Sequence, residues 1–139
     1  MDAADVRAQV IGWNQYGIFF ELGYGMGGEI GLATAVWTKL ADSYVKVLHI
    51  YSGADDSQAS PSFAGSSVWH AKMRIEQGAP GMFDIIVDAA GKADGVNIDE
   101  STKFVFDGVE YRAAQVPSYL GPLDCIRKDF SGNCPVSAR

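Results

Sequence analysis

The chain has 139 residues, of which 47% are hydrophobic and 20% are charged, and its formal net charge at pH 7 is −6. This length and composition predict one globular domain, residues 1–139, with a sizeable core. The acidic balance argues against a nucleic-acid-binding surface, which needs clustered Lys and Arg. We expect no membrane association and no signal peptide, because every apolar stretch is short and the first residues are acidic. These features predict a soluble protein and do not identify its cellular compartment.

The N-terminal half contains apolar runs separated by glycines. Residues 2–11 have a spacing of apolar side chains that permits either a short helix or an extended arm of about residues 1–12. Residues 17–22 predict a strand, and residues 23–28 are too rich in glycine for a helix interior. Residues 30–40 permit a helix through their Ala, Leu and Lys, and a strand through their Ile, Thr, Val and Trp.

Three further strands are predicted in the middle of the chain. Residues 44–51 are rich in β-branched and aromatic side chains, residues 68–75 alternate between apolar and polar, and residues 82–87 have the composition of a buried strand. Residues 52–67 consist of turn-forming residues and predict a polar loop. Residues 88–101 carry no helical stripe and connect the last of these strands to a hairpin.

The Asp-Gly pair at residues 107–108 predicts that hairpin. It lies between two alternating apolar runs and favours a two-residue type I′ turn, since both central positions need a positive φ. This register places Phe106 opposite Val109 and Phe104 opposite Tyr111. All four side chains then share one face, so we expect a half-buried antiparallel hairpin.

Together these elements predict a mainly β fold, a small antiparallel barrel or sandwich of five or six strands with a short N-terminal helix or arm. Pro117 and Pro122 break regular structure in a C-terminal tail of about residues 117–139. A disulfide between Cys125 and Cys134 would anchor this tail, and two free thiols fit the same spacing.

The titratable side chains predict no catalytic residue, cofactor site or metal site. His49 shares an expected strand face with apolar neighbours, which predicts a core or edge position. His70 lies among charged residues, which predicts a solvated position. Neither has a Ser or Cys partner at a recognisable spacing. Asp94, Asn97 and Asp99 resemble part of a calcium loop whose remaining ligands are missing.

One glycine motif supports an alternative hypothesis. Glu21, Gly23, Gly25 and Gly27 lie at the end of a predicted strand, and their spacing resembles the loop that binds S-adenosylmethionine in class I methyltransferases. Gly23, Gly25 and Gly28 also fit the looser dinucleotide-binding pattern. The resemblance implies that Glu21 and the glycines line the cofactor. The predicted topology favours a different class, because parallel strands need long crossovers and the segments available here are rich in turns.

Aromatic residues in glycine-rich or loop contexts are candidates for an interface. They are Trp13, Tyr16, Tyr24 and Phe63. Aromatic side chains are enriched at the centres of protein–protein interfaces, which predicts binding to other protein subunits. A glycan platform uses the same side chains, so a secreted glycan-binding module is a second alternative.

A second resemblance covers residues 84–128. An Ile/Val-rich strand and a polar loop precede a strand–Asp-Gly–strand unit, with Tyr111 and Val116 after the turn. This pattern resembles the small β-barrel proteins at the head–tail junction of tailed phages, and head decoration or cement proteins are similar in size. The resemblance implies a non-catalytic virion protein that works as a homo-oligomer or in a larger symmetric assembly.

Overall fold

The computed structural model describes residues 2–26, 29–57, 67–78 and 81–121. Eight antiparallel strands form one sheet, and their order in the sheet is their order along the chain. A 3₁₀ helix, Ser118–Leu120, follows the last strand. The strands are β1 (Asp2–Gly12), β2 (Gln15–Met26), β3 (Glu29–Leu40), β4 (Ser43–Asp55), β5 (Val68–Glu76), β6 (Asp84–Ala93), β7 (Val96–Phe106) and β8 (Tyr111–Arg112).

The mainly β prediction is confirmed, but the sheet has eight strands where five or six were expected, and two further details are wrong. The N-terminal segment is strand β1 and not a helix, because it pairs with β2 along its whole length. Its alternation is hard to recognise in the sequence, since apolar residues lie on both of its faces and two bulges interrupt its register. Residues 88–101, predicted as a connection, form most of the β6–β7 hairpin.

Two-residue turns join three of the strand pairs. Asn14 (φ 56°) and Ala41 (φ 54°) supply the left-handed backbone in the β1–β2 and β3–β4 turns. In the β6–β7 turn both central residues, Asp94 (φ 48°) and Gly95 (φ 80°), have a positive φ. The chain therefore places the Asp-Gly turn typical of a tight hairpin here, thirteen residues before the pair that predicted it.

The register predicted for the later hairpin is wrong by two residues. Phe106 lies opposite Tyr111, so a four-residue loop joins β7 to β8 and Val109 belongs to that loop. The Asp107 Oδ1 atom accepts hydrogen bonds from the backbone N–H groups of Val109 and Glu110, each at 2.8 Å. These bonds stabilise the wider loop and hold the pKa of the Asp107 carboxyl below its ordinary value. A shift of two residues preserves the alternation, so Phe104, Phe106 and Tyr111 keep the expected face, whereas Val109 is 71% exposed and does not.

The two halves of the sheet share one hydrophobic core. β4 and β5 pair over only three residues, 53–55 with 68–70, so the sheet separates into two halves at this point. Buried side chains of both halves then form a single cluster. Its large members are Ile11, Phe19, Val36, Val47, Leu48 and Ile50 from β1–β4, Trp69, Ile85, Val87, Phe104 and Tyr111 from β5–β8, and Leu120 from the 3₁₀ helix.

One bridge links the first strand to the second half of the sheet. Gly12 pairs with Met82, and the Phe83 N–H group donates to the Ile11 carbonyl at 2.7 Å. Elsewhere in the described residues β1 pairs with β2 alone, and closure into a barrel is not found. No helix of the described chain has the length and apolar character needed to span a bilayer. Cys125, Cys134 and nearly all of the predicted tail lie outside the described residues.

Candidate functional site

The outer surface of β5–β7 is polar and internally paired. The Arg74 guanidinium donates to both carboxylate oxygens of Asp88, at 2.6 and 3.3 Å, and the Ser101 hydroxyl also donates to this carboxylate. Lys103 Nζ lies 3.0 Å from a carboxylate oxygen of Glu76. The hydrogen bonds from Arg74 and Ser101 hold the pKa of Asp88 below its ordinary value. This surface has the character of an ordinary solvated sheet face.

The outer surface of β1–β4 is apolar, in contrast. The register pairs Phe20 with Val6 on one side and with Ala35 on the other, so these three side chains point away from the core. We call this surface the apolar face. Its members are Val6, Ala8 and Val10 of β1, Tyr16, Ile18, Phe20 and Leu22 of β2, Ala33, Ala35, Trp37 and Lys39 of β3, and Tyr44, Lys46 and His49 of β4.

A groove of about 650 Å³ runs through the middle of the apolar face. Its lining consists of Ile18, Phe20 and Leu22 from β2, Ala35 and Trp37 from β3, and Tyr44, Lys46 and His49 from β4. Ala33 and Ala35 are buried although they do not belong to the core cluster, because larger neighbours on the same face surround them. At Ala35 the surface is therefore lower than on the two neighbouring strands, whereas Trp37 of the same strand is exposed.

A bulge in β4 brings His49 to this groove. Leu48 lies opposite Val36, whereas Lys46 lies opposite Trp37, so one extra residue of β4 occurs between them. His49 is buried as expected, but it does not face the core as an unbroken alternation predicts. The Lys46 Nζ atom lies 3.1 Å from His49 Nδ1.

The structure describes the side chains of two of the four predicted interface residues, and these two lie apart. Tyr16 is 64% exposed and lies on the apolar face. Trp13 is also exposed, but it lies in the β1–β2 turn with its ring edge against Phe83, at 6.3 Å between centroids. Tyr24 belongs to β2, where its side chain is outside what the structure describes, and Phe63 lies outside the described residues.

Sequence reasoning missed Trp37 and Tyr44, which are both exposed on the apolar face. The signal that could have found Trp37 is the alternation of Ala33, Ala35 and Trp37, which marks one face once β3 is recognised as a strand. Tyr44 was predicted to lie in a strand, and only the register with β3 shows that it faces outward.

Two further titratable side chains, His70 and Glu21, lie close to each other. His70 is exposed, as expected, and its Nε2 atom lies 3.5 Å from a carboxylate oxygen of Glu21.

The glycine motif does not have the structure of a nucleotide-binding loop. Residues 21–26 are part of β2, and strand β3 follows, whereas a helix follows a nucleotide-binding glycine loop. Among the described residues no group of three or more His, Cys, Asp and Glu side chains is placed to hold a metal ion.

The chain matches no protein-family model, no curated protein and no solved structure. The chemistry of its own surfaces therefore carries the functional conclusion. Of the surfaces described above, the apolar face departs furthest from a solvated exterior, because its large apolar side chains are exposed next to one another and not singly.

Proposed function

We propose that the protein is a non-catalytic assembly protein that binds other protein subunits through the apolar face. One observation carries this proposal: exposed apolar side chains from all four strands lie side by side on this face. They are Val6, Val10, Tyr16, Trp37 and Tyr44. A contiguous exposed apolar surface with aromatic members marks an interaction site, because the transfer of each side chain out of water lowers the free energy.

The contrast between the two outer surfaces supports the same function. A subunit with one apolar face and one ion-paired face can bury the first against a neighbour and keep the second in water. Two halves packed as a sandwich around the shared core would hold these faces on opposite sides. The resemblance to phage head–tail and decoration proteins supports a symmetric assembly, a homo-oligomer or a virion among them, as the setting.

Glycan binding is the second candidate, favoured by the exposed rings of Tyr16, Trp37 and Tyr44 beside an open groove. Sugar hydroxyls need several hydrogen-bonding partners. Among the described lining residues, Trp37, Tyr44, Lys46 and His49 carry hydrogen-bonding groups, and the remaining side chains are apolar. Protein docking therefore fits the groove better than a glycan does.

A matched pair of valines tests the proposed function. Val6 on the apolar face is 52% exposed and Val105 on the polar outer surface is 49% exposed, and both lie in strands. We expect Val6→Glu, and more strongly Trp37→Glu, to weaken association about tenfold or more. Size-exclusion chromatography of tagged chains in extracts of the source cells should then show release of single chains.

The control is Val105→Glu, which adds the same charge to the other outer surface. It should leave the wild-type complex intact, and circular dichroism should show that all three variants are folded. Identical elution of Trp37→Glu, Val6→Glu and the wild type would contradict the proposal. Loss of retention on a glycan column, with no change in complex size, would favour the second candidate.

A further inference from the structure

We propose that strand β1 of one chain pairs antiparallel with β1 of a second copy, with the two-fold axis at Ala8. The pairing goes beyond the proposed function, because it uses backbone groups at the edge of the sheet and requires no partner on the apolar face. Three observations lead to it: the exposure of β1, the direction of its backbone groups and the self-complementarity of its sequence.

Strand β1 is an uncovered edge of the sheet. Among the described residues it pairs with β2 and, at Gly12 alone, with Met82. Residues 5–8 are exposed on both faces of the strand. Edge strands are commonly protected by proline, charge or bulges. Here the protection is limited to the charges of Asp5 and Arg7 and to a bulge near each end, so the stretch between the bulges is available for pairing.

The backbone groups of three residues of β1 point away from the sheet. The Tyr16 carbonyl accepts a hydrogen bond from the Thr38 hydroxyl, so the backbone of Tyr16 is directed at β3. Backbone direction alternates along a strand, so Gly17 is directed at β1, where it lies opposite Gln9. The residues that alternate with Gln9 in β1 are therefore directed outward, and no other described strand lies opposite them on that side. They are Val6, Ala8 and Val10.

The sequence of this edge is complementary to itself. A two-fold axis at Ala8 places the three outward-directed residues of one chain opposite the same three of the second copy, so each of these N–H and C=O groups gains a partner. Val6, which is 52% exposed, then lies opposite the partner's Val10. Arg7 lies opposite the partner's Gln9, whose amide oxygen can accept from the guanidinium.

The neighbouring registers are less favourable. An axis at Arg7 places two guanidinium groups directly opposite each other, and like charges in this position are destabilising. An axis at Gln9 extends the pair to Ile11, whose carbonyl already accepts a hydrogen bond from the Phe83 N–H group. An axis at Val6 includes the bulge between residues 3 and 5. The axis at Ala8 avoids all three conflicts.

This pairing joins two apolar faces into one surface. Opposite residues of an antiparallel pair point to the same side of the sheet, so Val6 and the partner's Val10 connect the two faces across the axis. Two strand edges of this length bury less area than a standard interface, so we expect a weak dimer that depends on concentration.

Like charges at the axis test the register. Ala8 is exposed and lies opposite its own copy, so Ala8→Lys and Ala8→Glu should each weaken self-association of the purified chain about fivefold. An equimolar mixture of the two variants should restore it, because lysine then faces glutamate. Sedimentation velocity over a wide range of concentrations, up to millimolar, measures the association.

Two control variants separate the edge from the faces. Ala90→Lys adds the same charge at an exposed position of β6 and should leave the dimer unchanged. Trp37→Glu changes the apolar face away from the edge and should also leave it unchanged. Loss of the dimer in Trp37→Glu, with none in Ala8→Lys, would show that the faces and not the edges make the contact.

Amide hydrogen exchange tests the backbone pairing directly. At high concentration the amides of Val6 and Val10 should exchange about tenfold more slowly in the wild type than in Ala8→Lys. The amides of Arg7 and Gln9 are directed at β2 and should be equally protected in both proteins.

Three results would overturn the inference. They are a chain that stays monomeric at millimolar concentration, a mixture of Ala8→Lys and Ala8→Glu that associates no better than either variant alone, and equal protection of Val6 and Val10 in the wild type and in Ala8→Lys. The last result would show that the same chain covers this edge. The docking function of the apolar face would be untouched by any of them, because its test uses Trp37→Glu in cell extracts.

Discussion

Gly91→Ala is expected to lower the free energy of unfolding by about 3 kcal/mol or more. Gly91 lies opposite Trp69 in the β5–β6 pair and has a φ of +130°, a conformation that side chains with a Cβ rarely adopt. A Cβ here would lie 2.3 Å from the Val68 carbonyl oxygen and 2.6 Å from the Trp69 Cα. Both of these are backbone atoms of β5, so the strand itself would have to move. The buried Trp69 ring would move with it.

Urea unfolding followed by circular dichroism measures this effect against two other glycines. Gly95 also has a positive φ, but its Cβ would meet nothing within 4 Å, so Gly95→Ala should cost only about 1 kcal/mol. Gly78 has neither a positive φ nor a close neighbour, and Gly78→Ala should be nearly neutral. A Gly91→Ala loss no larger than that of Gly95→Ala would show that β5 and β6 do not approach closely at Trp69.

Tyr111→Ala is expected to cost about 4 kcal/mol of unfolding free energy. The side chain is fully buried, its ring lies 5.4 Å from that of Phe106, and its hydroxyl donates to the Phe83 carbonyl at 2.8 Å. Burial raises the pKa of Tyr111, which keeps the hydroxyl protonated as a donor. Tyr111→Phe should cost about 1–2 kcal/mol, because it leaves the Phe83 carbonyl without this donor.

Tyr44→Ala is the matched control, since it removes the same side chain from an exposed position. In the isolated chain its cost should stay below about 0.5 kcal/mol. Chemical denaturation of the three variants under identical conditions gives the comparison. A Tyr111→Ala loss close to that of Tyr44→Ala would mean that Tyr111 is not a core residue and that the four-residue loop before β8 is wrong.

The sequence predicts the side-chain faces of this protein better than it predicts its registers. Phe104 and Tyr111 were placed on one buried face through a two-residue turn, and they remain there although the register differs by two. A shift of two residues does not change which way a side chain points. The turn itself was missed because the side chain of Asp107 accepts two backbone hydrogen bonds, a preference that the dipeptide alone does not reveal.

The candidate site could be predicted only in part. Tyr16 was predicted to be an interface residue from its local context, and Ile18 and Phe20, its neighbours in β2, were predicted only to lie in a strand. The apolar face becomes visible only when β1–β4 are aligned, because each strand contributes only three or four of its residues. The bulge that turns His49 toward the groove depends on the pairing of β3 with β4, which local sequence does not encode.

Site-specific photocrosslinking in the source cells tests the central claim, that the apolar face is covered by another protein, most directly. A benzophenone amino acid at position 37 lies in the groove of the apolar face, and the same amino acid at position 105 lies on the polar outer surface. We predict a discrete covalent adduct with a protein from position 37 and none from position 105. Equal adducts from both positions, or none from position 37, would contradict the assignment of the apolar face as a docking surface.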